Sequence, residues 1–282
     1  MAAGSRAIVV LGMHRSGTSA VARGLQALGV YLGNDFLDAQ PENPTGYWED
    51  RGIVELNERA LKALRLGWDS TAPIERRRFG GWRMWGLRRE ARRYLRRHFT
   101  PARLWGFKDP RTIRLLPFWS TVLKECEVVD AYLLAIRNPS SVAASLHARQ
   151  GTDVETAQRL WLVNVVPFLD EIGGKPLVVV DYDRLMLDPR GQLERMARGL
   201  GIDDFAALDV ERFANEFLDA RLRHTVFSLD EIDATSEAGR LTRDAYGLLY
   251  ELADDRRKVD SNFWAAWSIV ASSFDAGDAG SG

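Results

Sequence analysis

The sequence predicts an α/β fold: a P-loop-type central parallel β-sheet flanked by helices, with a helical C-terminal portion. Three observations carry this expectation. Short continuous runs of β-branched and large apolar residues recur, the pattern of strands buried on both faces. Segments with helical spacing of apolar residues separate them, the alternation that builds parallel sheets. A turn bounded by Gly12 and Gly17 joins the first run to the first helix.

The first strand is read at Ala7-Ile8-Val9-Val10-Leu11. Thr18 to Leu28 reads as a helix closed by Gly29. Residues 30–50 form a long loop, dense in turn formers at Gln40-Pro41-Glu42-Asn43-Pro44-Thr45-Gly46. Ile53 to Leu66 has helical spacing and stops at Gly67. An arginine-rich segment follows, with Met84, Leu87, Ala91, Tyr94 and Leu95 as the apolar stripe of a helix. Further strands are read at Leu104–Phe107, Val128–Ile136 and Pro176–Val180. They run into Lys108-Asp109-Pro110-Arg111, Arg137-Asn138-Pro139 and Asp181-Tyr182, where ligands of parallel sheets gather. Helices are expected at about 139–149, 153–172 and 189–200, and throughout the chain from 208. The domain reading is a single unit over 1–274, with a variable basic insertion at 68–103 and a helical part at 205–274. The small-residue tail 275–282 is expected to lack regular structure.

Composition narrows the class. With 282 residues, 46% hydrophobic and 27% charged, the chain is neither disordered, collagenous nor a disulfide scaffold. One cysteine excludes an internal disulfide and a cysteine zinc cage. No apolar run reaches the roughly 18 residues of a membrane span, and the start lacks a signal-peptide pattern, so a cytoplasmic protein is expected. The net charge of −1 conceals a segregation. Residues 76–114 hold thirteen arginines and Lys108 against Glu90 and Asp109.

The loop Gly12-Met13-His14-Arg15-Ser16-Gly17-Thr18-Ser19 has the skeleton that wraps backbone N–H groups around a phosphate at a helix N-terminus. An NTPase loop would place lysine where Thr18 stands; here the positive charge is Arg15, inside the loop. That departure disfavours ATP or GTP hydrolysis. A second pair, Arg137 at a strand end and Ser145 two helical turns on, could bracket another phosphate.

Together these motifs resemble the sulfotransferases that use 3′-phosphoadenosine-5′-phosphosulfate (PAPS). His14-Arg15-Ser16-Gly17-Thr18-Ser19 is similar to their 5′-phosphosulfate loop, and Arg137 with Ser145 to their 3′-phosphate site. Lys108-Asp109-Pro110 and Pro44-Thr45-Gly46-Tyr47-Trp48-Glu49 extend the likeness, toward bacterial and carbohydrate or tyrosylprotein members, over about residues 6–200. The resemblance implies sulfuryl transfer from PAPS to a hydroxyl of a carbohydrate or glycolipid, in line and without a required metal. It implies that Arg15 and Lys108 stabilise the transferring group, while His14, Ser16, Gly17, Thr18 and Ser19 bind the donor's 5′ end. Arg137 and Ser145 would hold its 3′-phosphate, joined by Arg223 from Arg221-Leu222-Arg223-His224. For the base that takes the acceptor proton, Glu49 is the first candidate, with Asp109 and Glu42 as alternatives. Two other classes remain open: a P-loop kinase with an atypical loop, and a non-catalytic nucleotide-binding protein.

The basic segment suits an acidic small-molecule or glycan acceptor, with Trp68, Trp82 and Trp85 stacking on sugar rings. A peripheral membrane contact through 83–98 and a merely solvated helix face are the other readings. No recognition motif accompanies the charge, so nucleic acid is not expected as a partner.

Overall fold

The computed structural model describes residues 4–40, 46–218 and 227–279. Four strands, β1 (Arg6–Leu11), β2 (Leu104–Lys108), β3 (Val129–Ile136) and β4 (Leu177–Asp181), form one parallel sheet in the order β2-β1-β3-β4. The chain leaves β1 toward β2 on one side and leaves β3 toward β4 on the other. A crevice therefore opens beyond the carboxyl ends of β1 and β3, the ligand position of such sheets.

The helices of the first half are α1 (Thr18–Ala27), α2 (Arg51–Ala63), α3 (Trp82–His98), α4 (Leu116–Cys126) and α5 (Pro139–Gln150). Those of the second half are α6 (Val154–Val165), α7 (Tyr182–Leu187), α8 (Pro189–Leu200), α9 (Ala207–Arg212), α10 (Glu237–Ala253) and α11 (Ser261–Ala279). β1 is buried on both faces, as its unbroken apolar run requires. Ile8 and Val10 join a core with residues of α1 and α8, while Ala7, Val9 and Leu11 face a larger core with α2 to α6, α10 and α11.

Several sequence expectations change. The helix expected over 153–172 ends at Val165, and a separate 3-10 turn spans Leu169–Ile172. Pro167, which lacks an N–H and disfavours helix in the residue before it, lies in the gap. α4 was not anticipated: it opens with Pro117 and buries Leu116, Phe118, Trp119, Val122, Leu123 and Cys126, leaving little polar face to mark a period. Among the described residues the segment after 208 is not all α-helix: α9 runs into a π-helical turn, Phe213–Phe217, and a 3-10 turn, Leu229–Glu231, precedes α10. α11 continues through Ala279 into the stretch expected to lack structure. Phe263, Trp267, Val270 and Phe274 dock it on the core, which anchors those last turns. Among the described residues, no helix is long and apolar enough to cross a membrane.

Candidate active site

The loop after β1 is shaped by left-handed backbone at Gly12, Arg15 and Gly17, with φ of 140°, 69° and 78°. A Cβ on Gly17 would lie 2.2 Å from the Tyr182 ring, and one on Gly12 2.5 Å from the Ala135 carbonyl oxygen. Glycine is therefore needed for close approach as well as for the turn. Gly17 is also the N-cap of α1, and no side chain caps that helix. The N-terminus of such a helix favours an anion, and Arg15 supplies charge within the same loop. This arrangement fits a bound phosphate.

Arg15 Nε donates to Ser145 Oγ at 2.9 Å, joining the loop to α5. Ser145 was expected beside Arg137; the bond it makes here is to the loop arginine. The guanidinium of Arg137 lies 4.9 Å above the Tyr182 ring, the same ring that crowds Gly17. Tyr182 thus packs against both phosphate motifs. Asn138 caps α5 at Ser140 N (2.9 Å) and donates to the carbonyls of Phe227 (3.0 Å) and Ser228 (2.9 Å). Arg223 and Glu42 lie outside the described residues.

At the end of β2, Lys108 Nζ donates to Glu49 Oε1 at 2.6 Å, to the Tyr47 carbonyl at 3.0 Å and to Ser19 Oγ at 3.3 Å. Ser19 Oγ donates to the same Tyr47 carbonyl at 3.1 Å. Lys108 and Glu49 are both buried, at 2% and 5% exposure. Burial pushes the Glu49 carboxyl above its ordinary range, against the pull of Lys108 and with an added push from the Asp109 charge. Trp48, in the left-handed region at φ 57°, turns the chain into Glu49, and its ring is held near Phe36, Phe217 and Arg23. Asp50 then caps α2 at Ile53 N and accepts from Tyr94 of α3 at 2.6 Å.

Asp109, the alternative candidate base, is held in an ion pair with Arg111. It is fully buried, accepts from Arg111 N at 2.8 Å, and holds the Arg111 guanidinium at 3.0 and 3.1 Å. Its carboxylate is engaged in fixing the turn Pro110–Leu115 and aiming Arg111.

A cavity of about 330 Å³ has His14, Tyr47, Glu49, Trp68, Arg111 and Arg149 in its wall. Asp109 is not in that wall. His14 lies against Trp68, with ring centroids 4.6 Å apart, and its buried Nε2 has no hydrogen-bond partner. Burial first, then Arg111, Lys108, Arg149 and Arg15, hold the His14 pKa well below the ordinary histidine value, so the ring is neutral. Arg149 is a wall residue that sequence reasoning missed; its place four residues after Ser145, on the same face of α5, was the available signal. Trp68 is fixed less obviously. Buried Arg114 donates to the carbonyls of Ser70 (2.7 Å) and Ala72 (2.6 Å), and burial lowers its pKa to about 10.

Trp82 and Trp85 are in neither the cavity wall nor the core, being 78% and 55% exposed. No residue of α3 is in that wall; of the segment 68–103, Trp68 lines it.

A parallel sheet whose first strand runs through a glycine-bounded loop into a helix, with a buried carboxylate–ammonium pair beside it, defines an α/β protein of the P-loop-like class. Residues 7–206 match the family model described as Sulfotransferase family, and the chain belongs to that family. It is a transferase by membership. No curated protein matches the chain. Among solved structures, it is similar to the sulfotransferase domain of the Synechococcus PCC 7002 olefin synthase, at 14% identity and TM-score 0.49, over 86% of this chain and 94% of that one. It is also similar to a sulfotransferase domain from the curacin biosynthetic pathway, at 14% identity and TM-score 0.43, over 96% and 98%.

Proposed function

We propose that the protein transfers the sulfuryl group of PAPS to a hydroxyl of a carbohydrate or glycolipid-type acceptor, in line and without a required metal. The observation that carries this reading is the Glu49–Lys108 pair. Glu49 lies in the wall of the cavity, and Lys108, buried behind it, is bonded through Ser19 to the first turn of the phosphate-loop helix. A base, a cation and an anion cradle are thus joined in one network.

In this reading the backbone of 12–19 binds the donor's 5′ end, with Arg137, Ser145 and Arg223 assigned to its 3′-phosphate. The acceptor oxygen bonds to sulfur as the bond from sulfur to the bridging phosphate oxygen breaks. Glu49 takes the acceptor proton, and the leaving product is the 3′,5′-bisphosphate. Arg15 and Lys108 offset the charge that grows on the bridging and sulfuryl oxygens, where fixed cations contribute most. Trp68 and Tyr47 give the acceptor aromatic faces suited to a sugar ring, and neutral His14 offers it a hydrogen-bonding edge. A cytoplasmic location is the accompanying expectation.

Thermal shift with adenosine 3′,5′-bisphosphate, 5′-AMP and ATP with Mg²⁺, followed by labelled PAPS with a panel of glycans and glycolipids, tests the reading. Stabilisation by the bisphosphate above the other two, with label passing to a hydroxylated acceptor, is expected. Magnesium-dependent ATP turnover would favour a kinase. Bisphosphate binding with no transfer to any acceptor would favour a non-catalytic nucleotide binder.

A further inference from the structure

The basic helix α3 has a face that the proposed transfer does not use. Met84, Leu87, Ala91 and Leu95 turn inward to the core, and α3 packs mainly on α4 and α2. At 100° per residue, Trp82, Trp85, Arg89, Arg93, Arg96 and Arg97 lie on the opposite side. The two tryptophans sit in the first turn, largely exposed, with the Arg83 guanidinium 5.2 Å from the Trp82 ring and that of Arg89 4.8 Å from the Trp85 ring. The one acid of the helix, Glu90, is neutralised from beside it by Arg59, at 2.5 and 2.7 Å. Arg92 pairs with Glu125 and Arg96 donates to the Glu125 carbonyl at 3.1 Å, whereas Arg83, Arg89, Arg93 and Arg97 have no carboxylate at ion-pair distance among the described residues.

Such a face conflicts with ordinary solubility. Three arginines on one side, Arg89, Arg93 and Arg97, repel one another with no carboxylate between them, and two exposed indoles leave apolar area in water. Both costs are relieved by one kind of partner. Indoles settle at the boundary between lipid headgroups and acyl chains, where one edge is wet and the body is not. Guanidinium groups form forked hydrogen bonds with phosphate and carboxylate headgroups. The stripe runs straight along a convex helix for about 25 Å, with its anchors at one end and its charges beyond them. A planar anionic surface meets every position of such a stripe at once, whereas a folded acidic protein would need a matching groove.

We propose that the outward face of α3 docks the protein on an anionic membrane surface, with Trp82 and Trp85 entering the headgroup layer and Arg89, Arg93 and Arg97 over the lipid charges. Tyr94, on the flank of the same helix, is bonded to Asp50 beside Glu49, so the docked face and the transfer site share a rigid connection. The inference does not depend on the sulfuryl-transfer reading.

Co-sedimentation of the full chain with vesicles tests it directly. Phosphatidylcholine vesicles containing about one third phosphatidylserine should bind the protein, and pure phosphatidylcholine vesicles should not. Binding should weaken strongly when salt rises to about 0.5 M, as charge screening shortens. Each arginine near such a surface contributes about a fivefold gain, so R89E/R93E should lower partitioning at least about a hundredfold. W82S/W85S should weaken it and abolish a blue shift of tryptophan emission on vesicle addition. All four positions are exposed, so an unchanged melting transition will confirm that the variants are folded. Equal binding to neutral and anionic vesicles, no binding to either, or full binding by R89E/R93E would overturn the proposal. Capture of the protein by a soluble acidic polypeptide with no vesicle binding would overturn it in favour of a protein partner.

Discussion

Lys108 Nζ donates to Glu49 Oε1 across 2.6 Å, with both side chains nearly excluded from water. Taking two charges out of water costs several kcal/mol each before their attraction is counted. Here the same burial that makes the pair costly also raises the Glu49 carboxyl, and so makes it a stronger base than a surface glutamate. Glu49→Gln keeps an oxygen for Lys108 but cannot accept the acceptor's proton. Turnover should fall by about two to four orders of magnitude, with bisphosphate affinity near normal. The kcat of the parent enzyme should rise with pH through the elevated Glu49 pKa, because only the ionised carboxylate acts. A steady-state pH profile of both proteins checks the assignment; a profile retained in Glu49→Gln would move the base elsewhere.

The bond from Arg15 Nε to Ser145 Oγ, 2.9 Å long, ties the loop after β1 to α5, two turns beyond Arg137. Ser145→Ala removes an oriented hydroxyl and leaves Arg15 less constrained. A hydrogen bond to a charged group is worth about 1.5–3 kcal/mol, so bisphosphate affinity should drop about tenfold or more. Binding of 5′-AMP should change less. Calorimetric titration with the two nucleotides separates the effects, and equal losses for both would place Ser145 away from the 3′-phosphate.

Gly17 and Gly151 have nearly the same backbone conformation, with φ of 78° and 74°. Their surroundings differ: a Cβ at Gly17 would collide with the Tyr182 ring, and one at Gly151 would meet open space. Gly151→Ala should therefore cost only about 1 kcal/mol, the left-handed penalty at a helix C-terminus. Gly17→Ala should in addition displace Tyr182 or the loop, abolishing nucleotide-induced stabilisation. Melting with and without bisphosphate distinguishes the two variants.

Local chemistry explains what was legible in the sequence. β1, its loop and α1 could be read because a short apolar run, two glycines and the helix that follows are all contiguous. Lys108 and Arg137 were visible as polar residues terminating strands. The Lys108–Glu49 bond was not, since it joins positions 59 residues apart through a loop turned by left-handed Trp48. Likewise Arg114 reads as another member of a basic run, and only the fold shows it buried and holding the Ser70 and Ala72 carbonyls. The exposure of Trp82 and Trp85 ran against composition, because large aromatics near an apolar stripe normally join it.

Asp181, at the end of β4, is the N-cap of α7: Oδ1 accepts from Arg184 N at 3.0 Å, while Oδ2 accepts from the Tyr246 hydroxyl at 3.1 Å. Burial raises its pKa to about 6, helped by the Asp183 charge and opposed by these hydrogen bonds. The unfolded carboxyl titrates near 3.9, so the fold favours the protonated form. Its stabilising contribution is fully present below about pH 4 and is lost as pH rises through about 6, a change of about 3 kcal/mol. Asp181→Asn keeps the capping carbonyl, and its amide can donate to the Tyr246 oxygen. The variant should be more stable than the parent above pH 6, by about 1–3 kcal/mol, and the gap should close as pH falls toward 4. Paired denaturant melts across that range measure the gap. A difference independent of pH would mean that Asp181 does not titrate there and acts only as a cap.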